Sequence, residues 1–506
     1  MRLPSLTYLL CAFVALSSAQ TAYTTIGKEH TLRINSNGTI GIDIKNLEPS
    51  SFDNDDAKRP YLRQAGLWIV AQDEMDNYHT AVQYLSTKDS FDFWPGPIDT
   101  LTGQTGEIPE WDKAWKVSKE EVENHKSNYN SNGYVVPNSI AKWPALGYGS
   151  FAQYLAPFVD VDGDKTYNPE NGDYPAIKGD ESAYFIFNDV SNEHKASFGQ
   201  DLGIEVQLMA YTASNTSTTF LEYFIINRGS LNFKNLKVGF FMDGQCGNRN
   251  DNYAGTFESF PESIFIYNAD TLDEGHFENQ RPYITASFLN ENLSNSIAFN
   301  DQDGVNGIPR INQEFINYAY DKWRDGSSLK QDGDGTGIGN ATPLIFSQSD
   351  DTKPNFWSEE TENNTSGSRT ILGFINSDNL TSKEFIKLDI ALDVGYVNST
   401  ENIKEVIRSK SATSLSFFRS ISSITQPDGE DLFNISPNPS SGAFKITNVN
   451  IGEQIKITNN QGVTVYSKKI YNISDYMCNV NLPSGYYVVQ LTTKHNTRAK
   501  KLWITY

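Results

Sequence analysis

The sequence predicts an all-β protein: a β-sandwich-like body with long loops and few short helices, followed by a small Ig-like β-sandwich at the C-terminus. Three observations carry this expectation. Apolar residues recur at every second position in segments 31–44, 67–72, 184–187, 203–212, 219–227, 236–242 and 387–397, the period of a strand with one face buried. Clusters of Gly, Pro, Asn and Ser separate these runs and supply the turns between them. Long stretches with a 3.6-residue apolar period are few, and no fixed-length repeat runs along the chain.

The elements follow in order. Residues 1–19 carry Arg2, an apolar run from Leu9 to Leu16 and the small-residue site Ser17-Ser18-Ala19, the pattern of a secretory signal peptide cut before Gln20. The run is too short to span a bilayer, and no later stretch approaches 18 apolar residues, so the mature chain is expected not to be membrane-spanning. Residues 20–419 form the body, as one or two subdomains. Within it, 113–129 reads as a helix capped by Ser118, and 399–417 as a second helix. Residues 420–433, with Gln426-Pro427-Asp428-Gly429, read as a linker. From 434 to 506 short strands return, with Phe444 and Ile446, then Ile455 and Ile457, alternating between turns at Pro437-Asn438-Pro439, Asn459-Asn460-Gln461-Gly462 and Leu482-Pro483-Ser484-Gly485.

Charge divides the chain. Lys and Arg total 41 and Asp and Glu 62; residues 434–506 hold eight of the former and two of the latter, leaving 33 − 60 = −27 for the remainder. So acidic a body repels nucleic acid and anionic membranes, excluding both as partners, and suits divalent cations. Cys11 leaves with the signal. Cys246 and Cys478 fall in different predicted domains, so no disulfide framework is expected.

The clearest chemical motif is Asp160-Val161-Asp162-Gly163-Asp164-Lys165-Thr166, closed by Asp173. Carboxylates at alternate positions of a coiled loop surround one centre, and hard oxygen ligands at that spacing suit calcium. The expected ligands are Asp160, Asp162, Asp164, the Thr166 backbone carbonyl and Asp173. The loop is not an EF-hand: its Gly is fourth instead of sixth, Asn171 holds the twelfth position, and Pro169 interrupts any exit helix. The competing reading is a solvated acidic turn. Asp243, Asp251 and Asn252, at the end of a strong strand, form a second expected calcium cluster, weighed against a polar surface turn. Asp301-Gln302-Asp303-Gly304 and Asp332-Gly333-Asp334-Gly335 read as ordinary Asp-Gly turns.

No catalytic residue is assigned. The sequence lacks H-E-x-x-H, G-x-S-x-G and a phosphate-binding Gly loop ending in Lys-Ser/Thr, and its six histidines show no zinc-ligand spacing. Glu193-His194 is an adjacent acid–imidazole pair, and Cys246 is a lone thiol at a strand end, a position that is more often structural. Trp68, Trp94, Trp111, Trp115, Trp143, Trp323 and Trp357 are candidates to stack on sugar rings, with core burial the more frequent role of Trp.

The C-terminal stretch supplies a resemblance. The opening PNP-S-x-G-x-F (Pro437, Asn438, Pro439, Gly442), the central N-x-x-G-x-x-V-Y (Gly462), L-x-x-G-x-Y (Gly485, Tyr487) and the basic end with Lys500 and Lys501 fall in order. Together they resemble the type A C-terminal sorting domain of substrates of the type IX secretion system of Bacteroidota. The resemblance implies recognition of residues 434–506 by that machinery and a secreted or outer-membrane-surface location. In many such proteins the tail is removed and the new end joined to surface lipopolysaccharide. The body segments FDFWPGPIDTLTG, IAKWPALGYG, APFVDVDGDKTYNPENGDYPAIKGDESAYFIFND and YDKWRDGSSL resemble a group of large secreted Bacteroidota proteins with the same tail and no assigned activity. That group's pattern at the second acidic cluster is Asp-x-Asp-Leu-Gly followed by Asp-Asp-Tyr; here Gln245 and Asn252 replace two of the acids. The expected function is a calcium-stabilised, non-catalytic interaction or adhesion module with a glycan or protein ligand; the alternative is a secreted glycan- or peptide-active hydrolase.

Overall fold

The computed structural model describes residues 22–27, 30–53, 60–105, 108–213, 216–259, 261–270, 273, 277–347, 357–424, 433–436, 440, 442–447, 449, 452–459, 464–470, 476–483, 485–492 and 497–504. The expected signal peptide therefore lies outside the described residues, as do the motif positions Pro437, Asn438, Pro439 and Gly462.

Two large antiparallel sheets build the body. The first runs, in spatial order, Tyr23–Ile26, His30–Asn35, Ser51–Asp53, Pro60–Gln72, Phe233–Gly244, Thr370–Leu380 and Asn295–Phe299, with Tyr78–Val82 also pairing with Pro60–Gln72. The second runs Asn252–Phe257, Ser263–Asn268, Gln280–Phe288, Phe385–Asn398, Thr218–Asn227, Ile204–Thr212, Glu181–Asn188 and Trp94–Pro95, with Trp115–Ser118 also pairing with Glu181–Asn188. Leu67, Val238, Phe240 and Leu372 of the first sheet join Phe185, Val206, Leu208, Leu221, Ile284 and Ile390 of the second in one continuous core, the arrangement of a sandwich.

The second sheet is buried on its other face too. Tyr184, Ile186, Met209, Tyr211 and Phe220 form a separate cluster with Trp111, Val122, Trp143 and Leu155 of the segment between Trp94 and Glu181, and with Leu415 and Phe418 of the helix Ile403–Ile424. All nine residues of Ile204–Thr212 are buried as a result. Phe220 stacks on Tyr211 (5.1 Å between centroids) and on Phe417 (5.4 Å) of that helix. Beneath the helix the half-buried Lys387 lies between Asp389 (2.9 Å) and Glu222 (3.5 Å), so its ammonium is paired on both sides.

Two helix expectations change. Only Lys119–Asn128 is helical in the first; Trp115–Ser118 is a strand, recruited by the free edge of Glu181–Asn188, where Val117 and Trp115 oppose Ser182 and Tyr184. Ser118 is the N-cap as expected, its hydroxyl accepting from Glu121 N while Glu121 bonds back to its amide. The second helix continues to Ile424, so the expected linker 420–433 begins inside it; packing of Leu415 and Phe418 on the sheet carries the helix past 417.

The tail is a small sandwich of its own. One sheet holds Asn434–Ser436, Ala443–Thr447 and Tyr476–Asn479; the other holds Thr464–Lys469, Gln454–Asn459, Gly485–Thr492 and Thr497–Ile504. Phe444, Ile446, Ile455, Ile457, Val489, Leu491 and Leu502 fill the space between them. Gly442 has φ +101°, a conformation that costs a side-chain-bearing residue, and its N–H donates to Ser440 Oγ. Tyr487 is buried and donates to Pro483 O at 2.8 Å, fixing the turn before its strand.

Phe220→Ala removes the ring on which the Ile403–Ile424 helix rests. It is expected to lower the stability of the body by about 3–5 kcal/mol in urea unfolding. A loss below about 1 kcal/mol would show that the helix is not held by this stack.

Candidate functional site

The acidic loop is pinched at its base. Phe158–Val159 pairs antiparallel with Tyr174–Pro175, Val159 opposite Tyr174, so residues 160–173 close on themselves. Backbone amides then coil the loop around its carboxylates. Gly163 N and Lys165 N donate to the two oxygens of Asp160 (2.7 and 2.8 Å), and Val161 N and Asn168 N to the two of Asp173 (both 2.8 Å). Asn171 Nδ2 donates to Asp162 Oδ2 at 3.0 Å. Gly172 has φ +105° and lies against Tyr129, whose ring a Cβ there would meet at 2.9 Å.

The outcome is convergence. Asp160, Asp162, Asp164 and Asp173 each present a carboxylate oxygen, and these oxygens all lie within 4.8 Å of one another. No lysine, arginine or histidine among the described residues forms an ion pair with any of the four. Asp164 is held below the ordinary carboxylate range by the Thr166 hydroxyl and amide, which both donate to its Oδ1 at 2.7 Å. Asp173 is fully buried while Asp162 and Asp164 are exposed, so the cluster is rooted at one end and open at the other.

The root reaches the helix Lys119–Asn128. His125 is buried, and its Nε2 faces Asp173 O at 3.1 Å. Tyr167 donates to Ile140 O at 2.8 Å. His125 and Ile140 lie far upstream of the motif, so local spacing gave no sign of these contacts.

At the second expected calcium cluster each side chain has protein partners. Asp243 is buried and accepts from Arg63 Nη1 at 3.0 Å and from Arg249 Nη1, and Arg249 also holds Asp301 at 2.8 Å. Two guanidiniums already balance the Asp243 carboxylate. Asp251 Oδ1 accepts from Asn268 Nδ2 (3.0 Å), and Asn252 Oδ1 from Cys246 N (3.0 Å), so these side chains brace the turn. Arg63 comes beside Asp243 through the pairing of Gln64 with Asp243 across two strands, a contact that local spacing cannot reveal.

Cys246 is buried, its thiol pushed well above its usual pKa by burial and facing Ile266 O. A thiol so held is a poor nucleophile. Trp68, Trp111, Trp143, Trp323 and Trp357 are buried, which removes them as sugar platforms; Trp94 and Trp115 are half-buried.

His194 has a structural role. Its ring nitrogens face two backbone carbonyls, Thr80 O at 2.8 Å and Asp189 O at 2.7 Å. Carbonyls only accept, so this pairing favours the ring with both nitrogens protonated. Burial opposes that charge, but the carboxylates of Asp92 and Asp189, each 3.9 Å away, raise its pKa above the ordinary value.

Comparison with known proteins bears on the tail. The family model described as the secretion system C-terminal sorting domain matches residues 434–505. The chain is a type IX secretion substrate, exported to the extracellular space or the outer-membrane surface. No helix among the described residues is long and apolar enough to cross a membrane. No curated protein matches the chain. Among solved structures, the chain is similar to a polysaccharide lyase at 8% identity and a TM-score of 0.21, over 60% of this chain and 34% of that one. The chain thus spans about a third of the length of that structure.

Two outcomes are expected. The stabilising contribution of His194 is present in full below its unfolded pKa and lost as pH rises through its raised folded value. In urea unfolding between pH 6 and pH 9, the advantage of the natural chain over His194→Gln should therefore shrink as pH rises; an advantage that is constant or grows would contradict the imidazolium. In the producing cell, a chain ending at Phe433 should remain in the periplasm while the full chain reaches the surface or medium; equal distribution of the two would contradict the sorting role.

Proposed function

We propose that the body is a calcium-stabilised, non-catalytic interaction module, carried outside the cell by its tail to bind a glycan or protein. One observation carries the reading: four carboxylates converge within 4.8 Å with no basic partner among the described residues. Four like charges at that range repel one another, and a divalent cation relieves the repulsion. Calcium takes oxygens at 2.3–2.6 Å, so oxygens on opposite sides of the ion stand about 4.6–5.2 Å apart, the scale of this cluster. Asp160, Asp162, Asp164 and Asp173 would hold the ion, with Thr166 offering its carbonyl. Bound there, calcium supplies rigidity: it joins the exposed arm of the loop to the buried Asp173, and through Asp173 to His125. The amides and Asn171 already hold the loop close to that shape, which lowers the entropy cost of binding.

Attachment to surface lipopolysaccharide after removal of the tail belongs to the same proposal. The alternative, a glycan- or peptide-active hydrolase, has no residue constellation in its favour among the described residues, and turnover in a hydrolase screen would replace the adhesion reading.

The metal is tested by thermal unfolding of the exported protein. Calcium should raise the midpoint and chelator lower it, since an ion bound by the folded state alone adds about 2.7 kcal/mol at a hundredfold excess over Kd. Asp162→Ala with Asp164→Ala should abolish the shift at little cost to the chelated protein, because both side chains are exposed. A shift that survives both substitutions, or none in the natural chain, would overturn the calcium reading.

A further inference from the structure

A second polar site lies at the far end of the first sheet. The helix Asn312–Ala319 ends at Tyr320, and the next residue, Asp321, has φ +56°. This is the left-handed position after a helix, where Gly is favoured and, among other residues, Asn and Asp are tolerated best. Asp321 stands in the wall of an open cleft of about 290 Å³, with Tyr320, Leu329, Ala341, Thr342 and Pro343. Its Oδ1 is shielded from solvent and accepts no hydrogen bond from the protein. Burial pushes its carboxyl up to about 6, with the charge of Lys237 opposing. The Lys237 ammonium does not satisfy it: that group donates to Asn295 Oδ1 at 2.9 Å and Ser294 Oγ at 3.0 Å.

The backbone suits Asn as well as Asp, so it does not by itself call for a carboxylate, and no protein group donates a hydrogen bond to Oδ1. A desolvated, unmatched acid costs stability, and such acids mark places where a ligand supplies the missing donor. The walls narrow the choice. Leu329, Ala341, Pro343 and the Tyr320 ring suit methylenes, while Lys322, Ser328 and Thr342 make the rest of the lining polar, Lys322 with a charge that a bound cation must keep clear of. From this juxtaposition of a carboxylate oxygen that accepts no hydrogen bond with a cleft walled in part by apolar side chains, we infer that the cleft binds a primary ammonium on a short methylene chain, the chemistry of a lysine side chain. The ammonium brings three donors and a positive charge to Asp321, and the chain lies on the apolar walls.

The rival account is internal, with Asp321 serving only to balance Lys237. The two accounts differ in what Asp321→Asn does. Asn accepts the left-handed conformation, so the backbone is preserved. The exported protein, its natural form and the variant are titrated with Nα-acetyl-lysine methylamide by saturation-transfer NMR, with the Nε-acetylated analogue and glucosamine as controls. The expected result is saturation transfer to the lysine methylenes, at least about tenfold weaker binding of the acetylated analogue and by the variant, weaker binding of glucosamine, and an unfolding midpoint in the variant no lower than in the natural chain. Ala341→Trp, which fills the mouth from an exposed position and keeps Asp321, should also abolish binding. The inference is overturned if the acetylated analogue or glucosamine binds as well as the lysine derivative, if either variant retains binding, or if Asp321→Asn destabilises the protein without changing what it binds.

Discussion

A nine-stranded sheet that buries both faces needs cover on both, and this requirement organises the body. One face meets the other sheet of the sandwich. The second is covered by the Ile403–Ile424 helix and by the segment between Trp94 and Glu181, which has little regular structure beyond Lys119–Asn128 and a few short strands. The helix holds itself together by backbone hydrogen bonds. The irregular cover cannot, and it depends on aromatic contacts and side-chain-to-backbone bonds to stay in place. Trp111, Trp143 and Tyr167 contribute here, and the aspartate loop belongs to the same segment.

That position gives the loop its meaning. Fourteen residues leave and re-enter the cover through a two-residue ladder, and their carboxylates converge above a buried aspartate tied to His125. With the carboxylates uncompensated, repulsion works to open the loop and loosen the ladder. In the proposal, a bound cation would reverse the sign of that force. The two cysteines among the described residues, Cys246 and Cys478, are buried and separate, so they supply no disulfide staple to an exported chain. Under those conditions a metal clip is an apt way to hold irregular cover on a sheet.

Much of this was legible in the sequence, for local reasons. Period-two alternation located strands such as Thr218–Asn227 and Phe385–Asn398 closely, and the Asp-x-Asp-x-Asp spacing, being local, located the loop. Ser118 was legible as a cap because the capping box spans only four residues. What was hidden was non-local. Trp115–Ser118 reads as helix until the edge it pairs with is known. Asp243 reads as a cation ligand until strand register brings Arg63 beside it. Asp321 carries no motif; its distinction is a backbone conformation and a missing partner, which exist only in three dimensions. The tail was the most legible part, because its turns and strand spacings are short-range and fall in a fixed order.

The central claim is that a cation in the aspartate loop fastens the cover onto the sheet. Hydrogen exchange, followed residue by residue with calcium and with chelator, tests it most directly. If the claim holds, calcium slows exchange at Val161, Gly163, Lys165 and Asn168, across the Val159–Tyr174 ladder and in Lys119–Asn128, while amides of Ile204–Thr212 in the sheet below stay unchanged. Identical exchange in the two conditions throughout residues 158–175 would contradict it, leaving the loop as a coil of backbone-bonded aspartates with no metal to hold.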